Sequence, residues 1–146
     1  MIRHARRGEA PALAAAYDWL FAPPGMRPAE WSLDIAISRL EAAMVDDNSA
    51  VLVAVDDESL VGFATVYLDI VSVRIGQRAW VEDLAVAPHR RSSGIGKALL
   101  DATKTWARDH NATWLALESG AARVDAHRFY EREGPESWSR SFRWTL

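Results

Sequence analysis

Arg91-Ser92-Ser93-Gly94-Ile95-Gly96 lies between an apolar run, Trp80–Val86, and an amphipathic stretch that begins at Ile95. A strand that passes through small residues straight into a helix aims unpaired backbone N–H groups, and the positive end of the helix dipole, at one point. Such a point binds anions, phosphate above all. Gly94 and Gly96 keep Cβ atoms out of the way of a ligand, and Arg90, Arg91 and Lys97 add cations around the turn. The strand that feeds the turn carries two acids, Glu82 and Asp83, so an anion anchor and candidate proton acceptors sit close together in the chain.

Spacing separates three uses of such a loop. A Walker-type nucleotide loop needs Gly-Lys followed by a hydroxyl residue for magnesium, but Ala98 follows Gly96-Lys97. A dinucleotide fingerprint needs a third small residue where this chain has Leu99, although Glu118 lies at a tolerable distance for its acid. The third pattern is Arg/Gln-x-x-Gly-x-Gly/Ala after a strand ending Leu-x-Val, and Leu84-Ala85-Val86 followed by Arg91 to Gly96 meets every position. In this the chain resembles the acyl-CoA loop of the GCN5-related N-acetyltransferases (GNAT). A second segment, Ala126-His127-Arg128-Phe129-Tyr130-Glu131-Arg132-Glu133-Gly134, resembles the family's Ala-x-x-Phe-Tyr-x-x-x-Gly signature. Two positions depart from it: Arg123 stands where asparagine is common, and Pro135 where phenylalanine often follows the glycine.

The resemblance implies acetyl transfer from acetyl-CoA, as co-substrate, to a primary amine of a small molecule or peptide, by direct attack in a ternary complex. It places backbone groups of Leu84, Ala85 and Val86 along the pantetheine arm. Arg91, Ser92, Ser93, Gly94, Ile95, Gly96 and Lys97 then surround the pyrophosphate, with Arg123 reaching a CoA phosphate. Glu82 is the expected base, facing the same side as Leu84 and Val86, with Asp83 turned the other way as the fallback; Tyr130 is the expected proton donor to the departing thiolate. An amine must be neutral to attack, and a lysine-like amine has a pKa of about 10.4, which is why an acceptor for its proton is required. Trp31, Asp69 and Glu118 are the candidate acceptor-binding residues. Each residue type also has a plainer use: Tyr130 as a core aromatic beside Phe129, Glu82 and Glu118 as solvated strand acids. A non-catalytic acyl-CoA-binding sensor or regulatory module would need the loop without a base or an acid.

The 146 residues suffice for one domain, 1–146, with a sizeable core. Apolar content of 49% and charged content of 25% exclude long disorder. A net charge of −3, with no continuous basic run, argues against nucleic acid as a partner. With no cysteine there is no disulfide, no thiolate metal site and no cysteine acyl-enzyme. The four histidines lack ligand spacing, so no metal is expected. The charged N-terminus and the short alanine-rich stretch after it suit neither secretion nor membrane insertion, which leaves the cytoplasm as the expected location. Most of the seven tryptophans are expected in the core or covering the sheet.

Periodicity predicts the elements that position these residues. A strand at Ile2–Arg7 precedes helices at Pro11–Ala22 and Pro28–Val45; strands at Val51–Val55 and Leu60–Val73 form a hairpin, and Trp80–Val86 leads into the loop. A helix to about Asn111, a strand at Thr113–Leu117 and a helix at Ala122–Glu133 follow. Trp138, Phe142, Trp144 and Leu146 alternate with serines and Thr145, which predicts a final half-buried strand, with Phe142 and Trp144 available to a homodimer. The order β-α-α-β-β-β-α-β-α-β implies an α/β fold (a mixed, α+β type of sheet): one central twisted sheet flanked by about four helices. That order is also the GNAT order, so the resemblance covers essentially the full length, while its specific motifs cover 80–100 and 122–135.

Overall fold

Alternation of apolar residues through the middle of the chain produces a five-stranded sheet in the computed structural model, which describes all residues from Met1 to Leu146. The strands are β1 (Ile2–His4), β2 (Ser49–Asp56), β3 (Ser59–Leu68), β4 (Arg78–Val86) and β5 (Trp114–Leu117), ordered β1-β2-β3-β4-β5 across the sheet. β1 through β4 pair antiparallel; β5 alone runs parallel to β4. Helices α1 (Ala10–Ala16), α2 (Asp18–Phe21) and α3 (Leu33–Val45) precede β2, α4 (Ile95–Asp109) joins β4 to β5, and α5 (Val124–Arg132) follows. The result is a mixed α/β architecture.

Between Ser49 and Asp56, residues 50–55 of β2 are apolar without a break, as suits a strand covered on both faces of the sheet. Val51 and Val53 pack with Phe63 of β3 against Leu13 of α1 and Leu40 of α3, whereas Ala50, Leu52 and Ala54 face Leu99 and Trp106 of α4. Asp57 and Glu58 both take positive φ, the two-residue turn geometry that keeps a hairpin twisted. α4 buries Leu99, Leu100, Thr103, Trp106 and Ala107, a spacing that makes one stripe toward the sheet. Leu99 and Phe63 have no exposed surface, and truncating either to alanine is worth about 2–5 kcal/mol.

Several expected boundaries shift. β1 stops at His4, where a 3-10 turn at Arg7–Glu9 begins the approach to α1. The first helix breaks at Tyr17 into α1 and α2, and the second starts only at Leu33, with the Ser32 hydroxyl accepting from Ile35 N–H at 3.4 Å. β3 ends at Leu68 rather than Val73: a tight turn with a Ser72–Gly76 bridge follows, and Ile70, Val71 and Val73 are exposed. The final strand is absent. Residues 135–146 make no ladder, and Trp138 is 88%, Phe142 74% and Trp144 78% exposed. Of the seven tryptophans, Trp106 is buried in the core, Trp19 and Trp31 are half-buried against it, Trp80 is half-buried on β4, and Trp114, Trp138 and Trp144 are exposed.

Candidate active site

A register irregularity in β4 sets the site. Thr65 of β3 pairs with Asp83, but the next residue, Val66, pairs with Val81, which leaves Glu82 as an extra residue. Such a bulge reverses the alternation of side chains. Before it Ala79 and Val81 face α4; after it Leu84 and Val86 do. Glu82 therefore shares a face with Trp80, whose indole Nε1 donates to it at 2.9 Å, and not with Leu84 and Val86 as alternation implied. The bulge brings Glu82 and Asp83 to the same cleft.

That cleft has a volume of about 350 Å³ and opens where β4 and β5 part. Their parallel ladder runs only from Arg78↔Trp114 to Val81↔Leu117, so the edge of β4 from Glu82 to Val86 has no strand partner on that side. One wall is aromatic: Tyr17, Phe21 and Trp31, with Trp31 5.3 Å from Tyr17 and 4.7 Å edge-on to Phe21 between ring centres. The opposite wall is built by Leu117, Glu118, Ser119, Arg123 and Tyr130. A connection at 22–28 closes one end. There a Cβ on Gly25 would fall 1.8 Å from the Leu20 carbonyl oxygen, so only glycine fits.

Asp83 is the floor of the cleft and is tied by distant parts of the chain. The Tyr17 hydroxyl donates to Asp83 Oδ2 at 2.7 Å and the Thr65 hydroxyl at 3.1 Å, while Asp83 N–H donates to Thr65 Oγ1 at 3.1 Å. Oδ1 has no protein hydrogen-bond partner. Burial pushes the Asp83 carboxyl above the usual carboxylate range, opposed by the Tyr17 and Thr65 hydrogen bonds and by the charge of Arg123. The Tyr17 phenol is driven strongly upward by burial and by Asp83 beside it. Burial also raises the Tyr130 phenol, against Arg123, so that hydroxyl keeps its proton at neutral pH.

At the other end of β4, Gly94 has φ +83 and ψ −4 and precedes the first turn of α4. Backbone N–H groups from Ser92 through Lys97 have no acceptor within the chain; the first helical bond runs from Ala98 N–H to Gly94 O at 3.0 Å. These donors and the helix dipole make the expected anion cradle. Ser92, Ser93 and Gly94 are exposed, and so is Arg91, which makes no ion pair. Lys97 and Arg90 are committed elsewhere, Lys97 to Asp101 at 2.8 Å and Glu133 at 3.3 Å, Arg90 to Asp56.

Arg123, expected at a CoA phosphate, lines the cleft and donates to the Leu20 carbonyl at 2.8 Å. Glu118 is at the cleft wall but already accepts from Arg143 Nη2 at 3.1 Å and from the Ser141 hydroxyl. Asp69 lies outside the cleft. It is paired with Arg78, whose guanidinium is the main reason the carboxyl sits below its ordinary range. Tyr17, Thr65 and Ser119 belong to the site without belonging to any motif in the sequence. The Ser119 hydroxyl is buried with no partner at all, a cost of about 1–3 kcal/mol unless a ligand supplies one. Nothing local marks Tyr17 or Thr65, since their meaning is a contact across 66 and 18 positions.

No group of three or more His, Asp or Glu side chains is gathered to hold a metal ion, and no helix is long and apolar enough to cross a membrane. Residues 13–134 match the model of the acetyltransferase (GNAT) family. The chain is 36% identical over 120 residues to the uncharacterized N-acetyltransferase YhdJ of Bacillus subtilis, covering 81% of this chain and 84% of that one. It is 33% identical over 138 residues to the aminoglycoside N(6')-acetyltransferase type 1 of Stenotrophomonas maltophilia, covering 92% and 87%. The aminoglycoside N-acetyltransferase AAC(6')-Iy, solved with CoA, shares the fold at a TM-score of 0.85 and 18% identity, over 100% of this chain and 93% of that one.

Proposed function

The chain belongs to the acetyltransferase (GNAT) family, and from that premise we infer that it acetylates a small amine, cationic when free, in the cleft beside β4. It is an acetyl-CoA-dependent N-acetyltransferase, similar along most of its length to proteins named for that activity. The observation that carries the reading is the partnerless edge of β4 from Glu82 to Val86, running from a carboxylate-floored cleft to the N–H groups of Ser92–Lys97. An extended, amide-bearing arm that ends in phosphates fits such an edge. The orphaned Ser119 hydroxyl at the far side of the cleft supplies one more hydrogen-bonding group for it.

Acetyl-CoA supplies an acetyl group activated as a thioester; the remaining roles fall to this chain. Leu84, Ala85 and Val86 hold the arm through their backbone groups, and Arg91 with the N–H groups of Ser92–Lys97 holds the pyrophosphate. Glu118 being paired with Arg143, Glu82 and Asp83 still outnumber Arg123 in the cleft, which favours a cationic acceptor. Trp31 and Phe21 give the acceptor's carbon skeleton an aromatic wall. The free ammonium first loses one proton to water; as the neutral nitrogen bonds to the acetyl carbon and the carbon–sulfur bond breaks, its second proton passes to Asp83 Oδ1 or through water to Glu82, Tyr130 gives its proton to the sulfur, and solvent restores Tyr130. The acceptor of the Stenotrophomonas relative, an aminoglycoside by its name, belongs to this chemical class. The alternative of a non-catalytic binding module has no observation in its favour.

The test is acetyl-CoA-dependent thiol release across a panel of amines, in a protein whose own sequence adds no thiol background. Turnover with small cationic amines, lost about 10²–10⁴-fold in Asp83→Asn with acetyl-CoA affinity retained, supports the assignment. Silence with every amine, together with no rise in melting temperature on adding acetyl-CoA, overturns it.

A further inference from the structure

Acetyl transfer to a simple amine leaves one charged residue of the cleft without a task. Arg123 stands where asparagine is common in the family, so the cation is this chain's own. Its Nη2 donates to the Leu20 carbonyl at 2.8 Å, and an added Cβ on Gly25 would fall 2.8 Å from the same nitrogen. The connection at 22–28 thus seats one edge of the guanidinium, and its other N–H groups have no acceptor in the chain. Arg123 makes no ion pair, and neither do Glu82 and Asp83, although all three line one cleft; Glu118, the remaining acid there, is held by Arg143. Burial raises the Asp83 carboxyl and the Tyr130 phenol, and the Arg123 charge opposes that rise at both, which puts the guanidinium within electrostatic reach of the reacting end of the cleft. The cleft therefore holds unpaired charge of both signs, kept apart. The CoA phosphates do not answer the positive one. Their N–H cradle lies beyond Val86, and Glu82 to Val86 alone is about 13 Å of extended strand.

We propose that the acceptor is a small zwitterion, an amine that also carries a carboxylate or phosphonate, with its nitrogen at Asp83 and Glu82 and its oxyanion on the Arg123 guanidinium. This rests on the acetyltransferase reading of the cleft and narrows its substrate class. A guanidinium offers parallel N–H groups that match two oxygens of one such group, and it keeps its charge at every working pH. Phe21 and Trp31 cover the short carbon chain between the two ends. A zwitterion meets each unpaired sign with its opposite, whereas a polycation filling the cleft sets like charge against Arg123.

Thiol release from acetyl-CoA is measured for α-, β- and γ-amino acids, each beside its primary amide, and for aminoethylphosphonate beside propylamine. The oxyanion-bearing amines are expected to exceed their uncharged counterparts at least about tenfold in kcat/KM, and the carboxylate and phosphonate arms show which group the guanidinium takes. Arg123→Gln should erase the preference by raising KM for the zwitterion, and Arg123→Lys, which keeps the charge without the fork, should restore part of it; a residue that only braced the cleft walls would lower both classes alike. The proposal is overturned, with the acetyltransferase reading intact, if the uncharged counterparts or polyamines are turned over equally well, if Arg123→Gln lowers both classes equally, or if its effect is confined to acetyl-CoA affinity. No turnover in any class overturns it too, and the melting temperature with acetyl-CoA then shows whether the wider reading falls with it.

Discussion

Gly94 and Gly96 stand two residues apart, and the structure gives them opposite roles. Gly94 has φ +83, and an added Cβ would meet nothing within 4 Å, so the backbone angle alone requires glycine there. Holding alanine in that conformation costs about 1–2 kcal/mol, partly offset by about 0.4–1 kcal/mol from a less flexible unfolded chain. Gly96 lies inside α4 with ordinary φ, and a Cβ would rest 3.5 Å from the Phe129 ring and 3.7 Å from Val86, normal contact distances. Alanine at this second helical position gains at most about 0.5–1 kcal/mol of helix stability. Gly94→Ala is therefore expected to lower the melting temperature by a few degrees, and Gly96→Ala to raise it by a similar amount, at about 2–4 °C per kcal/mol for a chain of this size. Urea unfolding and calorimetry read the difference. Acetyl-CoA titration adds a second signal: if Gly94→Ala relaxes out of the left-handed region, N–H groups turn from the cradle, and losing one or two bonds to a charged group, about 1.5–3 kcal/mol each, weakens binding at least tenfold. Equal stability of the two variants, or Gly94→Ala with unaltered acetyl-CoA affinity, would refute the assignment of the loop.

Other expectations follow from the cleft and from the N-terminal arm. Tyr17→Phe removes a hydrogen bond that favours ionised Asp83, so the acid limb of the kcat/KM profile should move to higher pH; an unmoved limb means Asp83 is not the group titrating. Tyr130→Phe should lower kcat far more than acetyl-CoA affinity, and full turnover would remove its role as proton donor. Glu9, bound by Arg3 at 2.6 and 2.9 Å and by Arg6 N–H at 2.7 Å, is held at about 2, chiefly by the Arg3 side chain. Its folded-state pKa is depressed, so its contribution is complete above the ordinary value of 4.5 and is lost as pH falls toward 2. Discounted for partial exposure, Glu9→Gln should cost about 1 kcal/mol at neutral pH, and variant and parent should converge at acid pH; a constant gap would show that charge is not involved.

Legibility in the sequence followed range. The strand-loop-helix around Gly94 is a local pattern, and its backbone geometry is what the residue types demand. α4 and the β2–β3 hairpin were readable because a period of 3.6 or an uninterrupted apolar run survives inside each element. Alternation puts Asp83 on the opposite side from Glu82, and the structure differs because a bulge is a property of a strand pair; nothing in Trp80–Val86 alone announces the extra residue. Local pattern makes Tyr17 simply part of a helix, and only the packing of α1 on β3 and of α2 on β4 gives its hydroxyl a purpose. The terminal strand was predicted from alternation that is present in Ser137–Leu146. Alternation prescribes a face to be covered, and within one chain nothing covers it.

The extra residue in β4 also constrains how this site can change over evolutionary time. A substitution at Glu82 alters one group and leaves Asp83 in place, so acceptor preference can drift in single steps. Losing one residue there would instead restore strict alternation, with Val81 and Leu84 still facing α4, and leave a single acid in the cleft. Descendants of this chain that keep two acids in the cleft should therefore almost never differ in length between Ala79 and Val86, and should vary more readily at position 82 than at 83.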